Sequence, residues 1–228
     1  NVHPTAVTEI LEVEISAELG ETATNEHPHN LSAVQHGPEN VRLLLVPALK
    51  ARLLDWPQPI KDEQHDLRQA TNLDRVLTIL VEAGCMDAYA ADECETRFRI
   101  APTTIAGGVW LSGLCAQDLE RGCRVIRDVL AEVPEEQRGA LGQRWVRILF
   151  GDRGFFRVPV GLDAPVTVIV DLIKLAYDVV RLDDDLHHEG VFTPGERDDA
   201  QDARSRLLGA LIELAGQDAH DALVELAD

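Results

Sequence analysis

The stretch that decides the fold is TPGERDDAQDARSRLLGALIELAGQDAHDALVELAD, residues 193–228. Its apolar residues recur at spacings of three and four, as in an amphipathic helix, at Ala200, Ala203, Leu207 and Leu211. Gly216 separates this helix from a second one, so the stretch predicts a helix pair. The second helix is still running at Asp228, and the chain starts at Asn1 rather than methionine, so we expect a piece of a larger protein.

The same helical spacing runs through earlier parts of the chain. A helix is predicted over Asp66–Ala83, where apolar side chains repeat at Leu67, Ala70, Leu73, Val76, Leu77 and Leu80. The apolar fraction of 45% is mostly aliphatic, and aromatic residues make up only 4% of the chain, which favours helix-on-helix packing. The sequence therefore predicts an all-α protein, either an irregular helical bundle or a short α-solenoid of antiparallel helix pairs.

Two regions interrupt the helical pattern and suggest domain bounds. Residues 1–38 form a poorly defined N-terminal segment, in which 10–15 fits a short strand or a helix and Gly20–Gly37 is predicted to be loop. Residues 39–228 are predicted to form a helical domain, with a candidate sub-boundary at 151–163, where glycine and proline cluster.

Charge and cysteine usage narrow the classes of partner. The net charge of −19, from 40 acidic and 21 basic residues, argues against nucleic-acid binding and against docking on anionic membranes. No apolar run approaches the roughly 18 residues that a membrane span needs. The four cysteines form no C-x-x-C pair and are expected to be free thiols, which fits a cytoplasmic protein.

One region of the acidic chain is rich in arginine. A candidate interaction patch within residues 121–157 comprises Arg121, Arg124, Arg127, Arg144 and Arg147. Acidic residues are interspersed among these arginines, so a solvated, salt-bridged face explains the same pattern.

An acidic run follows the helix that starts at Pro165. It contains Asp183, Asp184, Asp185, His187, His188 and Glu189. Negative charge near a helix C-terminus opposes the helix dipole, so we expect compensation. A divalent cation bound by these six candidate ligands is one hypothesis, and pairing with an arginine of residues 121–157 is another. A hydrated acidic loop, with neither a bound cation nor an arginine partner, is the third interpretation of this run.

A His-Asp dipeptide provides the candidate for an enzymatic function. In HD-type metal-dependent phosphohydrolases, adjacent His and Asp residues bind metal with an upstream His and a downstream Asp, and the pair His65-Asp66 resembles that motif. The resemblance implies a divalent metal as cofactor, with His29 or His36 upstream and Asp171 or Asp178 downstream. Asp66 equally suits the N-cap of the helix that follows it.

The C-terminal pair carries a second resemblance. The run Thr193–Arg204 leading into Leu207-Leu208 looks like a HEAT-type unit and resembles helical segments of large bacterial NTPase-type proteins in signalling or defence. This resemblance covers about the last sixty residues and implies a sensor or scaffold region whose nucleotide site lies elsewhere. No G-x-x-x-x-G-K-[ST] loop occurs in this chain.

The sequence thus predicts a helical scaffold, protein-interaction or sensor region of a larger cytoplasmic bacterial protein, without catalysis or a cofactor of its own. Its predicted partner is a protein or another domain of the same chain, and the oligomeric state is left open. The alternative is an HD-type phosphohydrolase with catalytic residues His65 and Asp66.

Overall fold

A computed structural model describes residues 4–20, 29–58, 62–152, 158–188, 190–191, 193–214 and 216–227. Over these residues the chain forms eleven α-helices and one short 3₁₀ turn, with no strand. The all-α prediction is confirmed. The chain divides into two compact units, Asn1–Gly113 with Phe156–Pro159, and Leu114–Phe155 with Val160–Asp228. The predicted bounds at 38/39 and 151–163 stay a prediction.

The first unit is built from the N-terminal helices. They are α1 (Pro4–Glu18), α2 (His29–Gln35), α3 (Glu39–Leu54), α4 (Glu63–Glu82), α5 (Ala88–Ile100) and the first part of α6 (Ile105–Gln117). α3 packs on α1, α2, α4 and α5. Helix α4 buries Leu73, Val76, Leu77 and Leu80 completely, as its apolar spacing predicts.

Helix ends in this unit follow local chemistry in part. α4 ends in a Schellman motif, in which Gly84 adopts φ +62° and the Cys85 N–H donates to the Leu80 carbonyl at 2.9 Å. The prediction of a loop over Gly20–Gly37 is wrong in part, because His29–Gln35 within it forms the helix α2. Its first N–H groups, at Asn30 and Leu31, donate to the Glu18 carboxylate at 2.7 and 2.9 Å.

The second unit contains α7 (Leu119–Glu132), α8 (Glu135–Phe150), α9 (Val166–Val179), the 3₁₀ turn Leu182–Asp184, α10 (Glu196–Glu213) and α11 (Gln217–Ala227). Helix α9 contacts α7, α8, α10 and α11, as expected for a helix that is apolar on several sides. The predicted turn at Gly216 is confirmed, because Gly216 has φ +128° between α10 and α11.

Aspartate side chains mark two helix starts in the second half of the chain. The break between α6 and α7 falls at Asp118, whose side chain accepts the Arg121 N–H at 2.9 Å. The α10 helix begins at Glu196, with Gly195 as the N-cap. There the Asp198 carboxylate accepts the Gly195 N–H at 2.7 Å.

Candidate functional site

The acidic run lies in a loop that α10 holds at several points. We call residues 181–188 with 190–191 the clamped loop. Asp185 turns inward, and its two carboxylate oxygens accept N–H groups from Arg204 at 3.0 and 2.5 Å. Arg197 adds a third contact to the same carboxylate at 3.2 Å. The predicted compensation by arginine therefore exists for Asp185, but the arginines come from α10 and not from residues 121–157.

The two arginines also bind the loop backbone. The guanidinium of Arg204 donates to the Val180 carbonyl at 2.6 Å, and that of Arg197 donates to the Arg181 carbonyl at 2.6 Å. The Arg204 guanidinium also lies 5.0 Å from the centre of the Tyr177 ring, a cation–π contact. A bidentate carboxylate pair with backbone contacts on both arginines fixes the position of Asp185.

The second half of the clamped loop has its own anchors on α10. The Leu186 N–H donates to the Gln201 side chain at 3.0 Å. The His188 Nε2 lies 2.6 Å from the buried carboxylate of Asp198. The Asp198 carboxylate therefore binds His188 and also caps α10, because it accepts the Gly195 N–H.

These contacts lower the pKa of both the Asp185 and the Asp198 carboxylate. The hydrogen bond from Arg204 lowers the pKa of Asp185, and Arg197 acts in the same direction. The backbone N–H of Gly195 lowers the pKa of Asp198, and the hydrogen bond with His188 adds to the effect. Both groups are therefore anionic well below neutral pH.

The remaining side chains of the loop point to solvent. The Asp183 side chain is 88% exposed, and its carboxylate is 3.7 Å from the Arg181 guanidinium. Leu182 is 59% exposed and Leu186 is 45% exposed, while Asp184 and His187 are also on the surface. Glu189 lies outside the described residues. The loop thus presents leucine and aspartate side chains from a backbone that α10 anchors.

The five candidate metal ligands that the structure describes, Asp183, Asp184, Asp185, His187 and His188, are not brought together as a set. Asp185 binds two arginines, His188 binds Asp198, and Asp183 and Asp184 are in solvent. Among the residues that the structure describes, no group of three or more His, Cys, Asp or Glu side chains is arranged to hold a metal ion.

The side chains of His65 and Asp66 lie in different environments and have different partners. Asp66 is buried, and its carboxylate accepts the N–H groups of Ile105 and Ala106 at 2.6 and 3.1 Å, which caps α6. His65 lies on the surface, with Nδ1 2.9 Å from the Asp62 carboxylate. The expected cap of α4 at Asp66 is wrong, because Asp62 caps α4 by accepting the His65 N–H at 2.9 Å.

The five arginines of the predicted interaction patch are distributed over α7 and α8. Arg127 pairs with Asp171 at 2.8 Å, and Arg147 pairs with Glu196 at 2.5 Å. Arg124 and Arg144 have exposed side chains, Arg121 is half-buried, and both Arg121 and Arg144 make interactions within the chain. Part of this charge is therefore neutralised by the acidic neighbours on α9 and α10.

The pairing of Arg197 and Arg204 with Asp185 was not predicted from the sequence. Arg204 lies on the same helical stripe as the buried residues Ala200, Ala203, Leu207 and Leu211, and is itself buried. An arginine on an apolar stripe rarely remains unpaired, so this position contained a signal for a buried anion.

Comparison of the chain with protein-family models, curated proteins and solved structures gives no match. The resemblances to HEAT-type units and to HD-type phosphohydrolases therefore stay predictions. Across the described residues, none of the helices combines the length and the apolar character that crossing a bilayer requires.

Proposed function

We propose that this chain is a protein-interaction region of a larger cytoplasmic protein and that the clamped loop contacts the partner. The observation that carries the proposal is the exposure of Leu182 and Leu186 on a loop whose backbone is anchored to α10. Exposed apolar side chains that group into one patch of surface mark interaction sites in many proteins. The four free cysteines support a reducing compartment.

The anchoring matters because ordering a loop on binding consumes interaction free energy. Each immobilised side chain costs about 0.5–1.5 kcal/mol at an interface, and a loop that is already held avoids part of this cost. Burial of each leucine against a partner gains about 1.5–3 kcal/mol. Asp183 and Asp184 add negative charge beside the leucines, which favours a partner surface with lysine or arginine around an apolar centre.

The proposal covers both a partner protein and a second domain of the same chain, because either one can carry a basic surface around an apolar centre. The arginines of α7 and α8 provide a second, basic contact region in the same unit. His65 and Asp66 have no part in this function, since Asp66 is engaged at the start of α6.

Site-specific photo-crosslinking inside cells tests the proposal. A photoreactive residue replaces Leu182 or Leu186 in the full natural protein, and a matched control replaces Ile100, which is 56% exposed in the other unit. We expect one adduct from both loop positions and none of that mass from the control. The purified partner should then bind the Leu182→Ser/Leu186→Ser variant at least about 100-fold more weakly. Identical adducts from Ile100, or an unchanged Kd, would contradict the proposal.

A further inference from the structure

The first unit contains a cleft of about 290 Å³ beside α4. One wall is apolar and is formed by Leu19, Trp56 and Pro57. A second part of the lining is polar and belongs to α4 alone, through His65, Arg68, Gln69 and Asn72. The volume is at the small end of the range for ligand pockets, and a concave site with one apolar and one polar wall is the usual form of such pockets.

The polar wall follows from the helical repeat. Positions 65, 68, 69 and 72 are spaced i, i+3, i+4 and i+7, so α4 presents all four side chains on one face. Arg68 is the residue of this wall that is always cationic, whereas His65 is already bonded to Asp62. Arg68 also has an interaction within the chain, but a guanidinium has five N–H donors and can serve a second acceptor.

The apolar wall centres on Trp56, which is only 6% exposed and contacts Trp110 edge-on at 6.0 Å between ring centroids. The Trp56 indole Nε1 is buried and has no hydrogen-bond partner among the described residues. Because that nitrogen has no surface accessible to solvent, Trp56 contributes only its apolar ring to the cleft.

We propose that this cleft binds a small organic acid, with its carboxylate on the Arg68 guanidinium and its apolar body against Trp56 and Pro57. The two halves of the ligand correspond to the two walls. Arginine matches the geometry of a carboxylate with paired N–H donors, and indole and proline surfaces gain from covering an apolar ring or chain. This site lies in the first unit and is independent of the clamped loop.

Benzoate is the probe, and benzamide and inorganic phosphate are its matched comparisons. Benzamide keeps the ring but has no charge, and phosphate keeps the charge but has no apolar body. Titrations of the intact chain are followed by two-dimensional ¹H–¹⁵N NMR, with the Trp56 indole signal assigned through Trp56→Phe. We expect benzoate to shift that signal saturably with a Kd on the order of 1 mM, and the other two compounds to bind at least tenfold more weakly.

Two arginine variants locate the carboxylate. Arg68→Gln should weaken benzoate about tenfold and leave benzamide unchanged, whereas the control Arg99→Gln, on α5 and outside the cleft, should leave both unchanged. Arg68→Lys, which keeps the charge, should show an intermediate Kd and gives the same test if Arg68→Gln does not fold.

Three results would overturn the proposal. The first is the absence of any saturable shift at benzoate concentrations about ten times the expected Kd. The second is equal binding of benzamide, which would remove the carboxylate from the recognition. The third is equal binding of phosphate, which would reduce the site to a nonspecific anion contact.

Discussion

Replacement of Asp185 by asparagine should destabilise the second unit more than any other single charge change in the clamped loop. The substitution keeps the shape of the side chain and one carbonyl acceptor but removes the negative charge. Arg204, whose side chain is 5% exposed, and Arg197, at 15%, then lose their shared anion. Cations at such depth depend on that pairing, because water reaches them poorly.

The magnitude follows from burial. Breaking a buried ion pair by removing one partner costs about 3–5 kcal/mol. The Asp185 side chain keeps 14% exposure, and asparagine retains one hydrogen bond worth about 1 kcal/mol, so we expect a loss of about 2–3 kcal/mol in the free energy of unfolding. The control Asp183→Asn changes the same charge two residues away on a side chain that is 88% exposed, and should cost no more than about 0.5 kcal/mol.

Urea unfolding measures both variants, with ¹⁹F-labelled tryptophan as the reporter because Trp145 lies in the second unit. The pH dependence gives a second readout. Arg204 lowers the pKa of Asp185 in the folded state, so the stabilisation is present above the unfolded pKa of about 3.9 and is lost as pH falls through the lower folded value. The difference between wild type and Asp185→Asn should be constant from about pH 5 to 8 and shrink below about pH 4.

Equal stability of Asp185→Asn and Asp183→Asn would refute this reasoning, because it would mean that the buried arginines do not depend on the carboxylate. A difference between wild type and Asp185→Asn that persists undiminished at pH 2 would refute the electrostatic origin of the effect.

Three further predictions test other parts of the structure. Gly142→Ala should destabilise the chain by about 1–3 kcal/mol, since a Cβ there would lie 2.5 Å from Val179. The control Gly139→Ala, in the same helix, meets open space and should stabilise by about 0.5–1 kcal/mol. Thermal melts compare the two variants. Burial raises the pKa of the Cys123 thiol to about 11, so alkylation followed by mass spectrometry at pH 8 should leave Cys123 unmodified in the folded chain. The contribution of that thiol to stability is present below its unfolded pKa of about 8.5 and is lost as pH rises toward 11. Asp66→Asn should lower the urea midpoint by an amount corresponding to about 1–2 kcal/mol, and an unchanged midpoint would contradict its role as the α6 cap.

The helices that could be predicted are those whose signals are local. α4 has a regular apolar repeat, and Gly84 marks its end, so its type and C-terminus follow from sequence alone. α2 has only Leu31 and Val34 as buried apolar residues, and its N-terminal cap is the side chain of Glu18, twelve and thirteen residues away. Such a helix depends on its neighbours, and no local pattern reveals it.

The same distinction applies to the candidate site. The acidic run was visible in the sequence, and so was the expectation that an arginine compensates it. Which aspartate turns inward was not visible, because it depends on Arg197 and Arg204 facing the loop once α10 packs on α9. The exposure of Leu182 and Leu186 supports an interaction site only because the same packing anchors the loop that carries them, and this packing could not be predicted from the sequence.

Capping across helices has a consequence for how the first unit folds. Asp66 on α4 caps α6 from 39 and 40 residues away, and Glu18 on α1 caps α2 in the same manner. The first N–H groups of α2, at Asn30 and Leu31, and those of α6, at Ile105 and Ala106, lack these acceptors until the helix that carries the carboxylate has docked. The capped helices therefore gain stability together with their partners, which makes unfolding concerted where a linear array would fray from its ends. The amide protons of Ile105 and Ala106 should accordingly exchange with solvent only when α4 opens.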